Sequence, residues 1–142
     1  MLMNKYGLFI VLCLLAIGIS SNAQETEATY PIDRKYRVCV DSNSSTLGML
    51  ECISAATKEW DEQLNKYYKL LAEKLNQTQK ASLRTTQREW LVYKEKETRF
   101  YLDLYTEREG TIWNVVMARR GMDLIRQRAI ELIEYYETIS QN

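Results

Sequence analysis

The chain has 142 residues, is 46% hydrophobic and 27% charged, and balances 19 basic against 19 acidic side chains with no histidine at all. A length of that order supports one small domain with a single core, and the even charge offers no basic excess for nucleic acid. The missing histidine excludes His-based triads, His-containing zinc sites and most general-base schemes.

Residues 1–23 read as a signal peptide. Lys5 gives a positive start, and an apolar run from Gly7 to Ile19 follows. The run is too short for a comfortable membrane span, and Ser21-Asn22-Ala23 places small residues where a signal peptidase reads. An uncleaved anchor is the alternative. Leu12 before Cys13 is too large for a lipoprotein cleavage site, so no lipid is expected there. Cleavage would begin the mature chain at Gln24 and drop Lys5, leaving 18 basic (19 − 1) and 19 acidic side chains. No membrane span then remains, and the expected location is the periplasm or the medium. With Cys13 removed, Cys39 and Cys52 form an even pair in an oxidising compartment, which predicts a disulfide rather than two buried thiols. It would close a loop of roughly a dozen residues and contribute on the order of 3 kcal/mol. Two thiolates without partner ligands at suitable spacing predict no metal, and nothing calls for a cofactor.

From Gln24 to Tyr30 the chain is polar and without periodicity, as a mobile leader would be. Pro31-Ile32-Asp33 opens an irregular arm to Cys39, so leader and tethered arm together span 24–44. A helical domain then spans 45–142. One of Ser44, Ser45 or Thr46 should cap its first long helix. Beyond it Leu50, Ile53, Trp60, Leu64, Tyr67, Leu71 and Leu75 recur at steps of three and four, an apolar stripe on one helix face. Asn76 is placed to cap a second helix with Gln79 as reciprocal partner. That helix reaches about Tyr105, with Leu83, Trp90, Tyr101 and Leu104 inward and polar Gln87, Lys94 and Glu97 at the intervening steps. After the turn Thr106–Gly110 a third helix runs from about Thr111 to Thr138, striped by Ile112, Val115, Val116, Met122, Ile125, Ala129, Leu132, Ile133 and Tyr136. The three would have about 30, 29 and 28 residues, or roughly 42–45 Å each. Matched lengths and short turns predict an all-α fold, an antiparallel three-helix bundle with an irregular N-terminal arm tethered by one disulfide. Gly121 inside the third helix costs about 1 kcal/mol against alanine. Close approach of a bulky ring, or a local break, would explain it.

Folding the first two helices back about Gln77 sets residue i opposite roughly 154 − i, with numbers fixed by the short turn. Asp61 then lies near Tyr93 or Lys94, and Asn65 near Gln87 or Arg88. Asp61 and Asn65 share a face, either as a polar pocket between helices or as a network, Asp61 with Lys94 and Asn65 with Gln87, that fixes the register.

Several of these residues carry a family resemblance. Cys39, Ser45-Thr46-Leu47-Gly48-Met49, Cys52, Trp60-Asp61, Leu64-Asn65 and Tyr68 resemble the LprI-like lysozyme-inhibitor family. Gln87-Arg88, Trp90, Tyr93-Lys94, Gly110-Thr111-Ile112-Trp113 and Arg126-Gln127-Arg128-Ala129 extend the likeness over nearly all of the mature chain. The resemblance implies a bacterial, all-helical, secreted or envelope-associated protein without catalytic residues. It also marks Trp60, Asp61, Leu64, Asn65, Tyr68, Gln87, Trp90, Lys94 and Arg128 as a structural network. Two departures stand out: Lys94 replaces an arginine common in the family, and Thr98 a frequent further cysteine. The first loses a bidentate fork; the second implies a single bridge.

Three functions compete. The first is an envelope binding protein whose partner is lysozyme or another envelope protein. A lysozyme cleft is built on two carboxylates, and the tethered Ser42, Asn43, Ser44 and Ser45 could offer it hydrogen-bond donors. The same four residues could simply cap the first helix. The second is a structural or assembly module meeting its partner through tyrosines, of which ten less Tyr6 remain after cleavage. The third is a hydrolase pairing Asp61 with Glu97, although most acidic residues fall at solvated helix positions.

Overall fold

The structure, a computed structural model, describes residues 30–141. The expected signal peptide at 1–23 and the leader to residue 29 lie outside the described residues. Within them the chain forms four helices and no strand: α1 (Pro31–Asp41), α2 (Thr46–Lys74), α3 (Gln77–Tyr105) and α4 (Ile112–Ser140).

The three long helices stand where their caps and stripes place them, at 29 residues each. Ser45 caps α2, its hydroxyl accepting the Gly48 N–H at 3.0 Å. Asn76 caps α3 in a reciprocal box: Asn76 Oδ1 accepts the Gln79 N–H and Gln79 Oε1 accepts the Asn76 N–H, both at 3.0 Å. Such side-chain acceptors satisfy amide donors that the first turn leaves open. Gly110, at φ +93°, takes the left-handed conformation that lets the chain leave α3 and enter α4. Tyr105 stacks on Trp113 across that turn with centroids 5.1 Å apart.

Helix directions follow from pairs of contacts. The Thr46 and Thr111 hydroxyls share a hydrogen bond of 2.9 Å, and Tyr67 meets Tyr136 edge-on at 5.6 Å. The offsets of 65 and 69 residues make α2 and α4 parallel. Gln87 pairs with Arg128, and Tyr101 lies against Gly121, so α3 runs antiparallel to α4.

The core is the seam between α2 and α4. Ile53, Ala56, Trp60, Leu64 and Leu71 from α2 meet Met122, Ala129, Leu132 and Ile133 from α4. Ala56 and Ala129 are both buried, and small side chains let two backbones draw close. Trp60, 1% exposed, is the largest side chain in that seam; truncating such a tryptophan to alanine costs about 3–5 kcal/mol. Gly121 sits in an unbroken α4, where a methyl would lie 3.1 Å from Tyr101 Oη. The close approach of a ring is therefore what the glycine accommodates.

Two expectations require correction. The arm before Cys39 is not irregular. It is helix α1, with Pro31 in its first turn, Asp33 beside the N-terminus, and Ile32, Tyr36, Cys39 and Val40 at helical spacing. It packs across α2 and is held near both ends. Asp33 accepts two hydrogen bonds from Arg126 of α4, from Nε at 2.9 Å and Nη2 at 2.7 Å. At the other end Cys39 is bonded to Cys52. Just ahead of α1, Tyr30 lies edge-on to Trp60 at 5.3 Å. Burial, with the nearby Glu134 and Glu137 carboxylates, pushes the Tyr30 phenol above its ordinary value. The bundle is thus four helices, not three with an arm.

The second correction concerns α3. It leans on α4 and scarcely approaches α2. Only Leu83 and Tyr101 of its 29 residues are buried apolar side chains, whereas Leu104, expected inward, is exposed. The reason lies in its inward steps: Gln87, Lys94 and Glu97 interrupt the stripe, so no apolar seam exists to draw α3 onto α2. Of the three tryptophans only Trp60 is in the core. Trp90 is half-buried beside the resulting gap, and Trp113 is half-buried at the turn.

Candidate functional site

The gap between α2 and α3 is a groove of about 650 Å³. Steps of three and four carry Asp61, Leu64, Asn65 and Tyr68 along one face of α2. The same steps carry Arg84, Gln87, Arg88, Leu91 and Lys94 along one face of α3. All of these line the groove, with Trp90 beside them. Asp61 and Lys94 stand at its end, where it meets a second hollow of about 550 Å³ that continues past Thr57, Thr98 and Gly121.

Seven of the nine network residues therefore open onto one concave surface: Asp61, Leu64, Asn65, Tyr68, Gln87, Trp90 and Lys94. The other two lie behind it. Trp60 is in the core, and Arg128, 5% exposed, is buried in α4. The expected cross-helix pairs do not form. Asp61 Oδ2 accepts from Asn65 Nδ2 at 2.9 Å on its own helix. Lys94 Nζ lies 5.4 Å from the Trp90 ring centroid. Gln87 Oε1 instead accepts from Arg128 Nε at 3.0 Å. With α3 leaning toward α4, Gln87 reaches an α4 partner and leaves Asn65 across open space.

Arg128 is itself anchored. Its Nη1 donates to Glu131 Oε2 at 2.9 Å, and its Nη2, also buried, has no hydrogen-bond partner among the described residues. Arg84 was not singled out from the sequence, and Arg88 entered only beside Gln87, without a role at the groove. Both are exposed on the groove wall and make no ion pair among the described residues. Their signal was available: they lie four apart on the face that carries Leu91, one turn from Gln87. With Lys94 they set three cations against the single carboxylate of Asp61, which Asn65 already occupies.

The tethered loop hydrogen-bonds to its own backbone while Ser42, Ser44 and Ser45 all stay exposed. Ser42 Oγ donates to Val38 O at 2.9 Å, and Asn43 Nδ2 to Cys39 O at 2.7 Å, while Ser45 caps α2. A methyl on Gly48 would meet Asn43 Oδ1 at 2.8 Å, so this closure needs glycine. Glu97 does not line the groove that holds Asp61. No group of three or more Cys, Asp or Glu among the described residues is placed to hold a metal ion. No helix among them is long and apolar enough to cross a membrane.

The model of the family described as lysozyme inhibitor LprI matches residues 39–132. The chain belongs to the LprI family. The LprI match opens at the first bridge cysteine and closes at Leu132 on the buried face of α4, so bridge, groove and Arg128 all fall within it. A crystal structure of an uncharacterized protein from Burkholderia thailandensis has the same fold, with a TM-score of 0.69 at 24% identity over 76% of this chain. The LprI-family chain spans about half of that longer protein (54%). No curated protein matches it.

Proposed function

We propose that this chain is an exported, non-catalytic binding protein of the bacterial envelope that inhibits lysozyme-type glycosidases, with the α2–α3 groove as its binding face. The observation that carries the reading is where the motif side chains go. A network that only held helices together would be consumed in helix packing, whereas seven of these residues line an open groove. Family membership supports lysozyme as the partner. So does the sign of the groove, which suits an acidic feature on the partner: Arg84, Arg88, Lys94 and Gln87 are donors on one wall.

The reading includes removal of residues 1–23 and residence of the chain from Gln24 in the periplasm or medium. Purified protein beginning at Gln24 should slow peptidoglycan turnover by lysozyme when present in micromolar excess. Unchanged turnover would end the inhibitory reading. A second reading, an assembly module without inhibitory activity, is favoured by a different observation. Tyr93, Phe100 and Leu104 form an apolar row on α3 at steps of seven and four, exposed at 51%, 60% and 44%. Sedimentation equilibrium that returns a dimer or larger, with turnover untouched, would select it.

A further inference from the structure

We infer that the α2–α3 groove takes an acidic, amphipathic helical segment of a partner protein, which lies along α3 and fills the place of a missing bundle helix. The inference rests on the reading of this groove as the binding face and adds the chemistry of what enters it.

Geometry gives the shape. Two helices form the walls, and the α3 wall from Ala81 to Lys94 is about 20 Å long at 1.5 Å per residue. Leu64 from α2 and the 47% exposed Leu91 from α3 give the groove apolar surface on both walls, which a polar glycan chain would not desolvate to advantage. An amphipathic helix laid in a groove buries such surface with its own apolar stripe.

Electrostatics gives the sign. Arg84 and Arg88 are spaced i, i+4, the spacing at which a partner helix presents successive carboxylates. Neither makes an ion pair among the described residues, and Asp61, the one acidic residue on the walls, is bonded to Asn65. The groove is therefore left with a net positive lining.

Gln87 sharpens the selection. Its carbonyl oxygen is taken by the buried Arg128 guanidinium, and a guanidinium can only donate. The amide is thereby held in one orientation. Its N–H donors, which have no partner among the described residues, are left for the groove. Arg128 acts as a positioning residue for a donor, and a donor among cations asks for an anion.

The test uses the protein from Gln24 and a synthetic, fluorescein-labelled helical peptide of about 14 residues, long enough for the wall. It carries Glu at i, i+4 along one edge and Leu along the next; a control peptide carries Lys in place of Glu. Anisotropy should report binding of the Glu peptide that weakens with salt, and at least tenfold weaker binding of the Lys peptide. In 15N spectra the Gln87 side-chain amide and Trp90 indole signals should move. Gln87→Glu is the decisive variant. It keeps an acceptor for Arg128, so the fold and melting temperature hold, but it replaces the donors with a carboxylate oxygen. Binding should fall at least tenfold, as it should in R84E/R88E.

Three results would each overturn the inference: binding unchanged in both variants, Gln87 and Trp90 signals unmoved by the Glu peptide, or those signals moved by a peptidoglycan disaccharide-peptide and not by the Glu peptide. Lysozyme turnover separates this from the functional reading. Peptide docking without inhibition would leave the groove assignment standing and remove lysozyme. Wild-type inhibition fully retained in Gln87→Glu, with no peptide docking, would remove the groove and leave lysozyme.

Discussion

Removing the Asp33 carboxylate should undo the docking of α1, and the size of the effect can be worked from its surroundings. The Asp33 and Arg126 side chains are 10% and 22% exposed and joined by two hydrogen bonds of 2.9 and 2.7 Å. Taking one partner from a buried pair costs about 3–5 kcal/mol, because the other charge is stranded. Arg126 keeps part of its environment here, with Cζ 5.6 Å from the Trp60 ring centroid, and it retains some access to water. The expected loss for Asp33→Ala is therefore at the lower end, about 3 kcal/mol. With a urea dependence of about 1.5 kcal/mol per molar, the unfolding midpoint should drop by about 2 M. Tryptophan fluorescence and far-UV circular dichroism, followed together with the bridge intact, would measure it. The double replacement Asp33→Leu with Arg126→Met removes both charges and should recover most of the loss. A drop below about 1 kcal/mol in Asp33→Ala, or a double variant as weak as the single one, would refute the argument that this pair holds α1 in place.

Other expectations follow from the same geometry. Replacing Cys39 and Cys52 by serine frees α1 at its far end and should cost about 3 kcal/mol, read as a lower urea midpoint. Gly121→Ala forces a methyl to 3.1 Å from Tyr101 Oη, so alone it should gain nothing; combined with Tyr101→Phe it should recover the helical preference of alanine, up to about 1 kcal/mol. Asn76→Ala removes one half of the α3 capping box and should lower stability by about 1 kcal/mol. Tyr30 holds its proton more tightly folded than unfolded, so its contribution is complete below the unfolded phenol value of about 10 and is lost as pH rises through the higher folded value. Midpoints compared at about pH 9 and about pH 11 should therefore fall less in Tyr30→Phe than in the natural chain.

Much of this fold could be read before any coordinates, because its signals are local. Ser45, Asn76 with Gln79, and Gly110 each satisfy or bend the backbone within a few residues, and they mark the helix ends. The α2 stripe through Ile53, Trp60, Leu64 and Leu71 is similarly self-declaring. What escaped was relational. Helix α1 shows Ile32, Tyr36, Cys39 and Val40 at helical steps, but in 11 residues bracketed by a proline and a serine-rich turn the period is short. Its holds are tertiary: packing on α2, the bridge to Cys52, and Arg126, 93 residues from Asp33. For α3 the polar steps at Gln87 and Lys94 were visible, yet a hairpin rule that assumes closure turned them into pairs with α2. The partner that decides the matter, Arg128, sits on a helix the hairpin rule does not consider. The groove residues were thus named from the motif, while their common opening, and Arg84 and Arg88 on its wall, required the third dimension.

Helix α3 runs between a capping box at one end and a stacked Tyr105–Trp113 pair at the other, with little of its surface given to the core. A helix placed in that way can have its outward letters rewritten at small cost to folding, since most exposed helix substitutions change stability by less than about half a kcal/mol. Relatives could keep the α2–α4 pair as a common chassis and diverge along this one beam, each answering to a different partner.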